Sequence, residues 1–108
     1  MISVKIFKNG DQYSGFVCEG HAEQAEEGHD IICSAVSALT FNTVNSLEQF
    51  TDDAMEVEQS EDGGYLKLKL KGELSPEAIV LMKSLVLGLQ MIEEDYGGEF
   101  LTVACEEG

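Results

Sequence analysis

Cysteine and histidine are scarce in this chain, and four of the five (Cys18, His21, His29 and Cys33) fall between positions 18 and 33, with Cys105 apart. Three roles fit that cluster. The first is nucleophilic catalysis. Cys33 follows Asp30, a residue type that caps helices, and so stands in the first turn of an expected helix beginning at Ile31. Amides and the macrodipole at a helix N-terminus stabilise a thiolate. A neighbouring histidine can take the thiol proton and hold it as imidazolium. His21 lies before the helix on a segment able to fold back. Ser37, four residues after Cys33, shares its helical face and can hydrogen-bond the dyad or the substrate. Asp30 either orients His21 or only caps the helix. The surrounding acids oppose a lone thiolate but favour an imidazolium, so an ion pair survives where a lone thiolate would not.

The second role is metal binding, with Cys18 and His21 as one ligand pair and His29 and Cys33 as the other. The seven residues between the pairs are fewer than the usual finger spacing, which makes this the minor alternative. The third role is packing, since free cysteine is commonly buried. Cys18 and Cys105 are given to it outright, because both fall in expected strands with no helix start behind them. On spacing alone, one Cys and one His twelve residues apart is a weak signal, and packing outweighs catalysis for Cys33 as well.

The elements around these residues are readable. Ile2, Val4 and Ile6 alternate with polar residues as a half-buried strand. Asn9-Gly10 signals a turn, and Tyr13–Cys18 returns as a second strand. Gly20–Gly28 is polar, acidic and bracketed by glycines, and is expected as a mobile loop, helical at most over Ala22–Glu27. The first helix should run from Ile31 to about Phe50, with Ile32, Val36, Leu39, Thr43, Leu47 and Phe50 as its inner stripe. Met55–Gln59 and Tyr65–Lys71 form a second hairpin about Asp62-Gly63-Gly64, with Leu66, Leu68 and Leu70 on one face and three lysines on the other. Ser75-Pro76-Glu77 starts a second helix that stops at Gly97-Gly98. That helix is apolar on nearly all sides, so a partner subunit is a candidate for its second burial surface. Phe100–Cys105 is a last strand. The order ββαββαβ predicts an α+β fold, two helices packed on a mostly antiparallel sheet, in one domain over residues 1–108.

The 108 residues suffice for one modest core, and a hydrophobic content of 44% argues against disorder. No signal peptide is visible, and the apolar run Ala78–Ile92 is too short and too polar for a membrane span. An odd count of three cysteines without a secretion signal predicts reduced thiols in the cytoplasm. The formal net charge is −15, and residues 18–62 carry twelve Asp or Glu and no Lys or Arg. Such a surface repels phosphate backbones, which argues against direct nucleic-acid binding, and attracts basic partners. Surface acids that confer only solubility explain the block equally well.

The run Gly20-His21-Ala22, then Gly28, then Asp30-Ile31-Ile32-Cys33-Ser34-Ala35-Val36-Ser37-Ala38-Leu39 resembles the signature of the bacterial ribosomal-processing cysteine protease family. The resemblance extends over essentially the whole chain, through the Gly88-containing helix and the Tyr96-Gly97-Gly98 step. It implies a peptidase that removes a short N-terminal extension from a large-subunit ribosomal protein, without a cofactor or metal. It implies a Cys33–His21 dyad, supporting parts for Asp30 and Ser37, and a loop between His21 and Cys33 that moves when substrate binds, with Gly20 and Gly28 as its glycines. It also implies a homodimer, in keeping with the apolar second helix. His29 has no part in the family pattern. The alternative from another class is a non-catalytic acidic module that holds a basic ribosomal protein.

Overall fold

The computed structural model describes residues 2–20, 29–61, 63–96 and 99–108, with the backbone alone at 29 and 30. Seven elements follow in the expected order: β1 (Ile2–Asn9), β2 (Gln12–Glu19), α1 (His29–Phe50), β3 (Met55–Gln59), β4 (Tyr65–Leu70), α2 (Pro76–Tyr96) and β5 (Leu101–Glu107). The strands form one sheet in the order β3-β4-β2-β1-β5. All pairings are antiparallel except β1 with β5, which run parallel. The fold is α+β with a mixed, mostly antiparallel sheet.

Alternation along the strands decides which face the helices cover. In the ladder, Ile6 stands beside Phe16 and Phe16 beside Leu68, while Val4 stands beside Cys18 and Cys18 beside Leu66. These rows, with Ile2, Leu70 and Leu101, make one apolar face. Ile32, Val36, Val44 and Leu47 of α1 and Ala78, Met82, Leu85, Val86 and Leu89 of α2 close over it. The other face carries Lys5, Lys67 and Lys69, and Val17 lies buried in the row between Lys5 and Lys67. Lysine stems cover apolar surface in this way while keeping their heads in water.

The turns and caps are those the residue types call for. The β1–β2 loop is Gly10-Asp11, one residue later than Asn9-Gly10 alone suggests, because Asn9 pairs with Gln12. Gly10 has φ 64°, which a type II′ turn requires at its first central position. A bulge shifts the β1–β2 register between Phe7 and Lys8. Gly15 lies beside it, and a Cβ there would collide with the Leu68 carbonyl oxygen. Ser75 caps α2, its Oγ accepting the Ala78 N–H at 3.1 Å. The Asp53 carboxylate in turn accepts the Ser75 N–H at 2.8 Å, fastening the exit of α1 to the entry of α2.

Two expectations for α1 are corrected. The helix begins at His29, so Asp30 lies inside its first turn and is not its cap. Acids are favourable there, because the N-terminal end of the dipole is positive. The inner stripe also differs. Phe50 is 72% exposed, whereas Thr40 and Val44 are buried and Leu39 is half-buried. Thr40 can be buried because its hydroxyl donates to the Val36 carbonyl at 2.9 Å, and Thr43 likewise donates to Leu39 at 2.8 Å. The buried line therefore runs through Val36, Thr40, Val44 and Leu47, and Phe50 falls off it.

Candidate active site

Cys33 is the fifth residue of α1. Its side chain faces the sheet because Val36, one turn on, is buried against that sheet and the two share a helical face. Continuing the same face gives Ser37, Thr40 and Phe41. These residues meet Cys18 and Gly20 at the end of β2, Ile2 of β1, Leu66 of β4 and Gly63 of the β3–β4 turn around a narrow cavity of about 20 Å³. That is room for about one water.

Backbone contacts hold the walls together. Gly20 has φ 102°, a conformation that favours glycine, and its N–H donates to the Gly64 carbonyl at 2.9 Å. The end of β2 is thereby tied to the β3–β4 turn. Gly63, at φ 78°, donates its N–H to the Ser60 carbonyl at 3.3 Å. Cys33, one turn into α1, lines the corner at which β2 ends.

The structure brings together Cys33, Ser37 and Gly20, and it places Asp30 in the turn that precedes Cys33. His21 and Gly28 lie outside the described residues. Of the proposed metal quartet, Cys18 and Cys33 meet at the cavity, His21 is outside the described residues, and His29 is described by its backbone alone. Among the described residues no cluster of three His, Cys, Asp or Glu side chains is placed to hold a metal ion.

Sequence reasoning brought Cys18 beside Cys33 only in the minor metal reading, and otherwise gave it to packing. The packing role holds for its half-buried setting, yet it also borders the candidate nucleophile. Burial, then the Cys33 thiolate, then Glu19 push the Cys18 thiol up to about 11. At neutral pH Cys18 is a thiol, not a nucleophile. Thr40 and Phe41 were missed, although helical spacing from Cys33 at i+7 and i+8 would have found them. Cys105 is exposed on β5 and does not border the cavity.

Two wider concavities, of about 410 and 510 Å³, lie elsewhere. One is lined by Asn9, Gln12 and Lys69–Gly72, the other by Phe50–Ala54 and Glu73–Ser75. Neither contains a cysteine or histidine. Width does not outweigh chemistry, and the small cavity at Cys33 is the candidate site.

A helix-borne cysteine facing a cavity over the central strands of an α+β sheet is an arrangement a thiol peptidase can use, and comparison with known proteins narrows it. The family model described as cysteine protease Prp matches residues 1–100. The ribosomal processing cysteine protease Prp of Staphylococcus aureus is 31% identical over 97 residues, covering 89% of this chain and 92% of that protein. The Bacillus subtilis protein of the same name is 33% identical over 101 residues, covering 89% and 90%. A crystal structure of the S. aureus protease with a substrate peptide superimposes with a TM-score of 0.89 at 28% identity, over 98% of this chain and 100% of that one. A second, with a covalently linked product peptide, gives 0.87 at 29% identity over the same shares. This chain belongs to the cysteine protease Prp family. It is accordingly an enzyme, a cysteine protease. Among the described residues no helix is long and apolar enough to cross a membrane.

Proposed function

We propose that this protease removes a short N-terminal extension from a basic large-subunit ribosomal protein, with Cys33 as nucleophile and His21 as general base. The observation that carries the reading is the place of Cys33: one turn into α1, facing a cavity it shares with Ser37 and Gly20. Its relatives are named for ribosomal processing, and the S. aureus relative has been seen with a substrate peptide and with a covalently linked product peptide.

In this reaction His21 accepts the Cys33 proton, and the thiolate attacks the carbonyl carbon of the scissile bond. Backbone amides near the start of α1 stabilise the oxyanion. The imidazolium of His21 returns the proton to the leaving amine, and water hydrolyses the thioester. Ser37 lies one turn beyond Cys33, where a hydroxyl can bond the dyad or the substrate backbone. Asp30, in the preceding turn, supports the site by its negative charge, which favours the imidazolium.

The enzyme acts in the cytoplasm as a homodimer joined through α2. Val80, Leu87 and Met91 are 63%, 59% and 54% exposed and share one helical face. A second copy would cover them. Leu87→Glu should yield a monomer in light scattering; an unchanged mass would remove α2 from the interface.

The deciding experiment incubates the purified protein with a full-length ribosomal protein bearing its N-terminal extension and reads the intact mass. The wild type shortens it at one bond. Cys33→Ala leaves it intact, and His21→Ala slows cleavage by about a hundredfold or more. Retained cleavage in Cys33→Ala would defeat the proposal. Function in cells that survives Cys33→Ala would instead favour an acidic module that binds the ribosomal protein without cutting it.

A further inference from the structure

One thiol at the cavity has no part in the cleavage chemistry. Cys18 lies on the helix-covered face of β2, in the row formed by Val103, Val4, Cys18 and Leu66. Cys33 lies on the face of α1 turned toward that row, and both thiols line the same narrow cavity. Both are half-buried and neither is in a disulfide. Ile2, Val36 and Leu66 flank them, so the space they share is bounded mainly by apolar side chains. Cys105 is outside it.

We propose that Cys18 is a resolving thiol: when a hydroperoxide oxidises Cys33, Cys18 closes a reversible Cys18–Cys33 disulfide that shields the nucleophile from irreversible oxidation. The inference rests on Cys33 being the reactive thiol of the preceding section. In the first step the Cys33 thiolate attacks one peroxide oxygen and the O–O bond breaks. Sulfur gives up two electrons, and the product is the Cys33 sulfenic acid together with hydroxide or an alkoxide. In the second step the Cys18 sulfur attacks the Cys33 sulfur and the S–O bond breaks. The departing hydroxide takes the Cys18 proton and leaves as water. A dithiol reductant returns the two electrons and restores both thiols.

The Cys33 thiolate is the second cause, after burial, of the raised Cys18 pKa of about 11. A sulfenic acid is neutral at the same position, so oxidation of Cys33 removes that contribution. Burial, the larger cause, remains after oxidation, so Cys18 reacts from its protonated form and gives its proton to the departing hydroxide. Without a resolving thiol, further peroxide carries a sulfenic acid to sulfinic acid, which simple thiols do not reduce.

The test treats the wild type, Cys18→Ala and Cys105→Ala with hydrogen peroxide, then with dithiothreitol. Non-reducing peptide mapping and cleavage are read at each stage. The wild type and Cys105→Ala should show a peptide joining Cys18 to Cys33, lose cleavage, and regain it fully with dithiothreitol. Cys18→Ala, each stage compared with its own untreated rate, should accumulate Cys33 sulfinic acid and lose the recoverable activity. A wild type that gives Cys33 sulfinic acid without the linked peptide would overturn the inference, as would full recovery in Cys18→Ala. The linked peptide is read by mass, so this failure is distinct from failure of the protease reading, which is retained cleavage in Cys33→Ala.

Discussion

Cys18 and Cys33 border one cavity from opposite sides, a strand and a helix start, and the surroundings separate their chemistry. Burial holds the Cys18 thiol up to about 11, so iodoacetamide at pH 7 meets it almost wholly protonated. Cys33 should be carboxamidomethylated first, Cys18 last, and the labelling of Cys18 should climb with pH until about 11, as followed by peptide mass spectrometry. His21→Ala should slow the labelling of Cys33 alone. Equal rates at all three cysteines would show that no thiol is activated. Helical spacing made the pairing of Cys33 with Ser37 legible, because i and i+4 share a face whatever the helix packs on. Cys18 was not legible in the same way. Alternation tells that a strand side chain faces a core, but only tertiary packing tells which helix residue lies above it.

Most of the elements could be read from the chain, since their signals are local: a glycine with positive φ in a turn, Ser-Pro-Glu at a helix start, leucine alternating with lysine. The end of the first stripe could not. Phe50 looks like a core residue by type, and Thr40 does not, yet a threonine hydroxyl bonded to the carbonyl one turn back can be buried and an aromatic past the end of the buried line is left in water. Helix contact supplies a further test. Leu39 Cδ1 lies 3.0 Å from where a Cβ on Gly88 would be, so α1 and α2 approach closely there. Gly88→Leu should destabilise the fold by about 1–3 kcal/mol in urea unfolding, as overpacking does. Asp53 makes the other interhelical tie. Hydrogen bonds from Ser75, its side chain first and its backbone next, lower the Asp53 pKa below 3.8. A lowered carboxylate pKa adds stability that is present above pH 3.8 and is lost as pH falls through the lower folded-state value. Asp53→Asn should therefore lower Tm at neutral pH and flatten its decline in acid. A parallel decline in both proteins would assign the acid sensitivity to other groups.

At the scale of the molecule the charges are sorted as well as numerous. Lys5, Lys67 and Lys69, half of the six basic residues, lie together on the sheet face that the helices leave open. Glu58 and Glu56 stand beside Lys67 and Lys69 in the ladder, so that face is locally balanced. The net charge of −15 is thus carried disproportionately elsewhere, and residues 18–62, which include the start of α1, have acids and no Lys or Arg. A basic substrate approaching this molecule feels attraction at long range. Attraction of this kind speeds encounter and leaves the chemical step alone. For a full-length basic substrate, kcat/KM should fall several-fold as ionic strength rises from about 0.02 to 0.5 M, because the Debye length contracts from about 20 Å to a few ångströms. Single-turnover cleavage at saturation should not change. A short peptide with the same scissile bond but no basic body should show a much smaller fall. If salt leaves kcat/KM for the basic protein unchanged, the acidic surface serves solubility and recognition rests on contacts at the cavity alone.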